Sequence, residues 1–447
     1  MKYIRFLLIV VMLIAGLGIA QGPAKAGQFT YTSGISLQNL ADATANISII
    51  FYLPNGTEDP NSPVADTITP LGSKVYFPIP TDAGFSGSVV IQSDVKIASI
   101  SNILGNSGEA AAAYDGSDAG SLTVSLPLLM KGNSGYNTWF NVQNAGSADA
   151  TVSVAYDDGV TNSAVIKPGA AATFDQVTEA HPGKVFSGIV TSDQPIAATV
   201  IEENPDIMFA YSGFIESSKA PIFPLINANN SGYVTGISIQ NAGGTATTVT
   251  VSYKASTAGT ACTETQTIAA GKSGLFALNA FAGVALPGMT TDCVANAKFI
   301  GSALVTVNSA NEDLTAVVNQ LRPGVNGEAY GGFSAAAATG TVVLPLIMNA
   351  NSGYWTSISI MNVGLADTTV TCAFTAYNSF TPAPVSATIS PNAGHPFLQP
   401  AHLGATKYIG SATCTTSPPG QIVAVVNELG PSSTNDQLLV YEGFNTP

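Results

Sequence analysis

The stretch Trp139-Phe140-Asn141-Val142-Gln143-Asn144-Ala145-Gly146, followed by Val152, Val154 and Tyr156 at alternate positions, decides how the whole chain reads. Alternation with period two puts Val152, Val154 and Tyr156 on one face of a strand, and that face is buried. The Asn-Ala-Gly that precedes it is turn chemistry, so the passage is strand, turn, strand.

The same passage occurs three more times. The strand closing on asparagine is repeated as Gly34-Ile35-Ser36-Leu37-Gln38-Asn39, Gly236-Ile237-Ser238-Ile239-Gln240-Asn241 and Ser357-Ile358-Ser359-Ile360-Met361-Asn362. The closing asparagines lie 105, 97 and 121 positions apart, which is the spacing of whole sandwiches and not of solenoid turns. Alternating strands follow each copy: Ile47, Ile49 and Phe51; Val249, Val251 and Tyr253; Val370, Cys372 and Phe374.

Further blocks recur in the same order. A turn residue stands six positions before an aromatic in Pro70/Tyr76, Pro168/Phe174, Ala270/Phe276 and Pro391/Phe397. A glycine-containing strand and its return come next, and each copy closes on Tyr-x-Gly, at Tyr114, Tyr211, Tyr330 and Tyr441. About seven short strands per ~100 residues, without helical periodicity, predict an all-β chain of four tandem Ig-like antiparallel β-sandwich units. The expected divisions are a signal peptide at 1–26 and units at 27–120, 121–218, 219–338 and 339–447.

A segment Leu126-Pro127-Leu128-Leu129 recurs as Phe223-Pro224-Leu225-Ile226 and Leu344-Pro345-Leu346-Ile347, three copies for four units. Proline removes a ladder donor, so the segment reads as an edge or sheet-switching strand at a unit's entrance. The first unit lacks it. That unit is expected to be the least stable and the one that docks a different protein, while the chain alone stays a monomer.

Strand, asparagine, glycine, alternating valines, Pro-Gly turn and aromatic, carried in the second unit by Asn144, Gly146, Val152, Val154, Pro168, Gly169 and Phe174, resemble the CARDB-type and related Ig-like modules of bacterial and archaeal secreted and cell-surface proteins. The first unit departs, with Leu40 and Ala41 in place of Ala-Gly. The resemblance implies an extracellular adhesion or spacer role.

Composition narrows the function. Met1-Lys2-Tyr3-Ile4-Arg5, the apolar run Phe6 to Ala20 and Ala24-Lys25-Ala26 read as a secretory signal with its cleavage site, predicting a secreted, extracellular or cell-surface protein. The 14 Lys and Arg against 28 Asp and Glu give −14; without Lys2, Arg5 and Lys25 the balance is 11 against 28, or −17. Nucleic acid is excluded on charge, and no membrane span is expected in the mature chain. Only 9% of residues are charged, against ~25% in an average globular protein, so Ser, Thr, Asn and Gln must cover the surface.

Cysteines are confined to the last two units, and export favours bridges Cys262–Cys293 and Cys372–Cys414. His181, His395 and His402 sit in turn-like segments with no second ligand at metal spacing, and read as exposed loop residues. No nucleophile elbow, phosphate loop or zinc motif occurs, so no enzyme, cofactor or metal site is expected. Acid pairs at Asp157-Asp158, Glu202-Glu203, Glu312-Asp313 and Asp115/Asp118 match no calcium loop, and Asn46, Asn55 and Asn229 head glycosylation sequons.

The polar feature that does repeat is a loop carrying Asn133 and Tyr136, Asn230 and Tyr233, Asn351 and Tyr354, within Asn-Ser-Gly-Tyr. Asparagine and an exposed aromatic suit a sugar face; the alternative is that Ser-Gly makes a turn and tyrosine packs beneath it. Two readings follow: a non-enzymatic structural or adhesion-type scaffold contacting other extracellular proteins, or a carbohydrate-binding array contacting glycans through these loops. Tandem sandwiches on short linkers are expected to make an elongated particle.

Overall fold

The computed structural model describes residues 27–277, 288–308, 313–377, 380–432 and 434–446. The expected signal peptide and Glu312 lie outside the described residues. The chain is all-β, and every strand ladder pairs strands of the same stretch of sequence, giving successive groups that we call segments one to four.

Segment one holds β1 (Tyr31–Asn39), β2 (Ala45–Tyr52), β3 (Val64–Ile68), β4 (Ser73–Tyr76), β5 (Ser88–Ser93), β6 (Ile97–Gly105) and β7 (Ala110–Asp115), in sheets ordered β4-β1-β6-β7 and β3-β2-β5. Segment two holds β8 (Ser121–Asn133), β9 (Tyr136–Asn144), β10 (Ala150–Tyr156), β11 (Thr161–Ile166), β12 (Ala171–Asp175), β13 (Val185–Glu203) and β14 (Met208–Ser212). Its two sheets are joined by β13, which pairs β8 and β10 with its first half and β9 and β14 with its second.

Segment three runs β15 (Pro221–Ala228), β16 (Val234–Asn241), β17 (Thr247–Ala258), β18 (Cys262–Ile268), β19 (Ser273–Phe276), β20 (Thr290–Thr291), β21 (Phe299–Val307), β22 (Leu314–Arg322), β23 (Asn326–Gly331) and β24 (Phe333–Ser334). Its sheets are β20-β18-β17-β21-β15-β24 and β19-β16-β22-β23. Segment four runs β25 (Thr341–Asn349), β26 (Trp355–Asn362), β27 (Thr368–Ala376), β28 (Val385–Ile389), β29 (Gly394–Leu398), the helix α1 (Gln399–Leu403), β30 (Tyr408–Ser417), β31 (Ile422–Leu429), β32 (Leu438–Glu442) and β33 (Phe444–Thr446). Its sheets are β28-β27-β30-β25-β33 and β29-β26-β31-β32.

Between the two sheets of each segment lies the predicted apolar face. Val152, Val154 and Tyr156 on β10 are buried while Thr151, Ser153 and Ala155 face outward, and the other alternating strands behave alike. The closing asparagine earns its place by its amide. In segment two Asn144 Nδ2 donates to the carbonyls of Ala148 (2.7 Å) and Ile166 (2.9 Å), and its Oδ1 accepts the Gly146 N–H (2.8 Å). Asn39, Asn241 and Asn362 repeat the arrangement, all fully buried. One side chain thereby ties a turn to the strand that follows and leaves no orphan in the core.

The Leu-Pro-Leu strands and the Tyr-x-Gly ends are a matched pair. The ladders of β8, β15 and β25 slip next to Pro127, Pro224 and Pro345, which have no N–H to donate. The carbonyl that follows is taken by the closing tyrosine: Tyr211 donates to Leu128 O, Tyr330 to Leu225 O and Tyr441 to Leu346 O, each at 2.6 Å. Among the described residues segment one has no such strand. Among the described residues no strand pairs the far edge of β5, where Gln143 Nε2 of segment two donates to Val89 O (3.1 Å), and Val64, Phe85, Val89, Ile91 and Val95 stay only half-buried around its core.

The expectation of an elongated particle is not met. The last strands β7, β14, β23 and β32 pack side by side in cyclic order, so the segments close into a ring and the fourth meets the first. Asp436 N donates to Glu109 O (2.9 Å) and Gln437 Nε2 to Gly108 O (2.9 Å) across that closure, and Ile100 sits in the core of segment four. Serines stitch neighbours farther out: Ser88 to Gly169 O (2.6 Å), Ser187 to Gly271 O (3.3 Å) and Ser302 to Asn392 O (2.7 Å), each reaching the predicted turn of the next segment. The default of small contacts between tandem modules fails because the free edges of these four strands, exposed in a string of beads, are buried in the ring.

Candidate functional site: the axial carboxyl cluster

Alternate residues of a strand send their N–H groups to the same side. In the four last strands those N–H groups converge on the ring axis, where two side chains receive them. Asp436 accepts from Met208 N (2.7 Å) and Gly327 N (3.0 Å), and from Ala111 N and Leu438 N, one donor from each segment. Two residues along, Glu328 accepts from Ala113 N (2.8 Å), Ala210 N (2.6 Å) and its neighbour Ala329 N (2.7 Å). Both carboxyls are fully buried. Burial pushes their pKa well above the usual carboxylate range, with the backbone donors pulling the other way.

Farther along, Glu442 accepts the Gly331 N–H and faces Asp115, whose carboxyl is pushed up by burial and by that second acid. Around the axis the segments also meet through side-chain pairs. Asn319 Nδ2 donates to Glu202 Oε2 (2.6 Å), Asn102 Nδ2 to Glu428 Oε2 (3.1 Å) and Asn427 Nδ2 to Gln320 Oε1 (3.4 Å). Burial pushes Glu202 and Glu428 each up to about 8, against the pull of the asparagine donors.

The sequence-predicted groups fall as follows. Cys262–Cys293 and Cys372–Cys414 are joined as disulfides. Asp292 adjoins the first bridge, but with both sulfurs in a disulfide no thiolate is left to hold a metal. The Asn-Ser-Gly-Tyr loops are tight hairpins: Ser134 and Gly135, Ser231 and Gly232, Ser352 and Gly353 all have positive φ, as a two-residue type I′ turn requires. Their asparagines turn back into the loop, Asn133 Nδ2 to Met130 Sδ (3.3 Å), Asn230 Nδ2 to Asn227 Oδ1 (3.0 Å) and Asn351 Nδ2 to Met348 Sδ (3.5 Å).

The tyrosines of these loops sit half-buried at the boundaries between segments. Tyr136 meets Phe209 edge-on in a cluster that includes Val317 and Ala329 of segment three. Tyr233 lies with Val425, Leu438 and Val440 of segment four, and Tyr354 with Ala111, Ala113 and Leu104 of segment one. Tyr31, which sequence comparison did not place in this set, completes it against Ile201, Met208 and Ala210 of segment two.

His181 is a correction: its side chain is out of solvent, stacked on Phe186, with Nδ1 2.8 Å from Asp158 and Nε2 2.9 Å from Gln176. Both nitrogens are engaged, which leaves none for a substrate proton. His402 Nε2 meets the Ala383 carbonyl (2.8 Å), and burial lowers the pKa of His395. The acid pairs separate: Glu202 reaches Asn319, whereas Glu203 accepts from Gln28 N and Tyr31 OH, both at 2.6 Å. Asp115 turns to the axis while Asp118 is exposed, so neither pair gathers ligands for calcium.

No helix among the described residues is long and apolar enough to cross a membrane. Glu328, Glu428 and Asp436 escaped sequence reasoning, and Glu202 was read there only as half of an acid pair, although a glutamate within an otherwise apolar strand, as in Val200-Ile201-Glu202, is a signal of a buried acid. Comparison of the chain with protein-family models and with curated proteins finds no match.

Proposed function

We propose that the chain is a secreted or cell-surface, non-enzymatic scaffold whose repeated sandwich units, related at the level of fold to CARDB-like modules, act as one rigid four-lobed body that other extracellular proteins contact. The observation that carries this reading is where the functional side chains go. The acids, amides and loop tyrosines that a ligand site would use are consumed in contacts between segments. The two disulfides suit an oxidising compartment. Beyond Val89, whose carbonyl takes the Gln143 amide of segment two, the outer edge of β5 in segment one has no strand partner among the described residues and is the place where a partner's strand would add.

One observation favours the carbohydrate reading as a second choice. Beside the hairpin of segment four a groove of about 520 Å³ runs between Trp355, Leu398, Pro400 and Asn349, and the half-exposed indole is a surface on which a sugar ring can stack. A glycan array with the protein from Gly27 onward separates the two readings. The scaffold predicts no glycan bound, and predicts that Tyr136→Ala, Tyr233→Ala or Tyr354→Ala lowers stability by about 1–3 kcal/mol through lost packing. Glycan binding that Trp355→Ala or Tyr354→Ala abolishes in a still-folded protein establishes the second reading instead.

A further inference from the structure

The side-chain pairs at the segment boundaries are versions of one contact. Counted along the ladders from the closing asparagine, Asn102, Ile201, Asn319 and Asn427 are equivalent positions, and so are Ile103, Glu202, Gln320 and Glu428. Each residue of the first set meets the second-set residue of the preceding segment. The boundaries are therefore Ile201 with Ile103, Asn319 with Glu202, Asn427 with Gln320 and Asn102 with Glu428. One is apolar, one is amide with amide, and two are amide with acid.

The unsatisfied atoms tell the three polar pairs apart. At the amide–amide boundary the buried groups left over are Gln320 Nε2 and Asn427 Oδ1, a donor and an acceptor that complete each other. At the other two boundaries the leftovers are oxygens on both sides: Glu202 Oε1 with Asn319 Oδ1, and Glu428 Oε1 with Asn102 Oδ1. A bonded acid–amide pair left with a buried acceptor on each partner lacks one hydrogen, and burying those acceptors unpaired is costly. A proton on the glutamate supplies it. The acid then has the hydrogen-bonding pattern of glutamine, the residue that the third boundary uses.

We propose that Glu202 and Glu428 each take up one proton from solvent as the ring closes, donating it from Oε1 to Asn319 Oδ1 and Asn102 Oδ1, so that the segments are held by two neutral acid–amide pairs and loosen when those protons return to water. The surroundings agree. Glu202 is flanked by Thr138 of β9, Phe209 of β14 and Asn319 of β22, with Tyr136 and Tyr211 the titratable groups that feel it. Glu428 is flanked by Thr356 of β26, Leu439 of β32 and Asn102 of β6, with Tyr354 and Tyr441. Among the described residues no lysine or arginine acts on either carboxyl.

A group whose folded pKa lies above its unfolded value contributes stability that is complete below the unfolded pKa and lost as pH rises through the folded one. For these two acids the window runs from 4.5 to about 8. Inside it each group raises the unfolding constant about tenfold per pH unit. The test is denaturant unfolding across that window for the native protein and for Glu202→Gln and Glu428→Gln, with infrared detection of protonated carboxyl at about pH 6. Each variant is expected to stay folded, to lose about tenfold per pH unit from the slope and to remove part of the acid carbonyl band. An unchanged slope in both variants overturns the proposal. So does a native protein whose acid band is absent or is untouched by either substitution, a readout that holds even where a variant unfolds.

Discussion

Asp436→Ala is expected to be the most damaging single change in the ring, lowering stability by roughly 4 kcal/mol or more. The carboxyl receives one backbone N–H from each segment, Ala111, Met208, Gly327 and Leu438. Alanine leaves all four buried without an acceptor, and a buried orphan donor costs about 1–3 kcal/mol. Asp436→Asn keeps one acceptor oxygen and turns a second donor onto the converging N–H groups, so it should restore only part of the loss. Urea denaturation followed by tryptophan fluorescence checks this. A loss under about 1 kcal/mol for Asp436→Ala would mean that the segments do not depend on the axis.

Asn144→Ala should cost about 3–5 kcal/mol, because one amide serves two carbonyls and one N–H in a site with no access to water. Asn144→Asp is expected to be no better: it keeps the acceptor for Gly146 but faces the Ala148 and Ile166 carbonyls with oxygen in place of the N–H donors. Hydrogen exchange locates the damage. Amides of β10 and β11, which the asparagine ties to β9, should exchange faster while those of segment four keep their protection. Uniform loss across all segments would show that the four fold as one cooperative unit.

These two residues also mark what was legible in the sequence and what was not. Asn144 is one of four copies, and comparison of the chain with itself found it, together with the alternating strands and both disulfides. A group on a rotation axis has no copies. Asp436 and Glu328 each serve several segments at once, so a search for repetition passes over them. The boundary pairs hid for a related reason, since Ile103 with Ile201, Glu202 with Asn319 and Gln320 with Asn427 satisfy one geometry with different chemistry.

Ring closure was out of reach because it depends on which strand edges meet in space, and the alanine run Ala110-Ala111-Ala112-Ala113 looks like an unremarkable strand until three other strands pack on it. The loop tyrosines repeat, and the repetition was visible. Their inward direction was set by the neighbouring segment, which a single unit's sequence does not contain.

Closure of the four segments around one axis is the claim on which the rest depends, and small-angle scattering from the monomeric protein beginning at Gly27 tests it most directly. A closed ring predicts a radius of gyration near the ~22 Å of a compact chain of this length, with a single-peaked distance distribution. A value about twice as large, with a long tail in that distribution, would describe sandwiches strung end to end and would contradict the account.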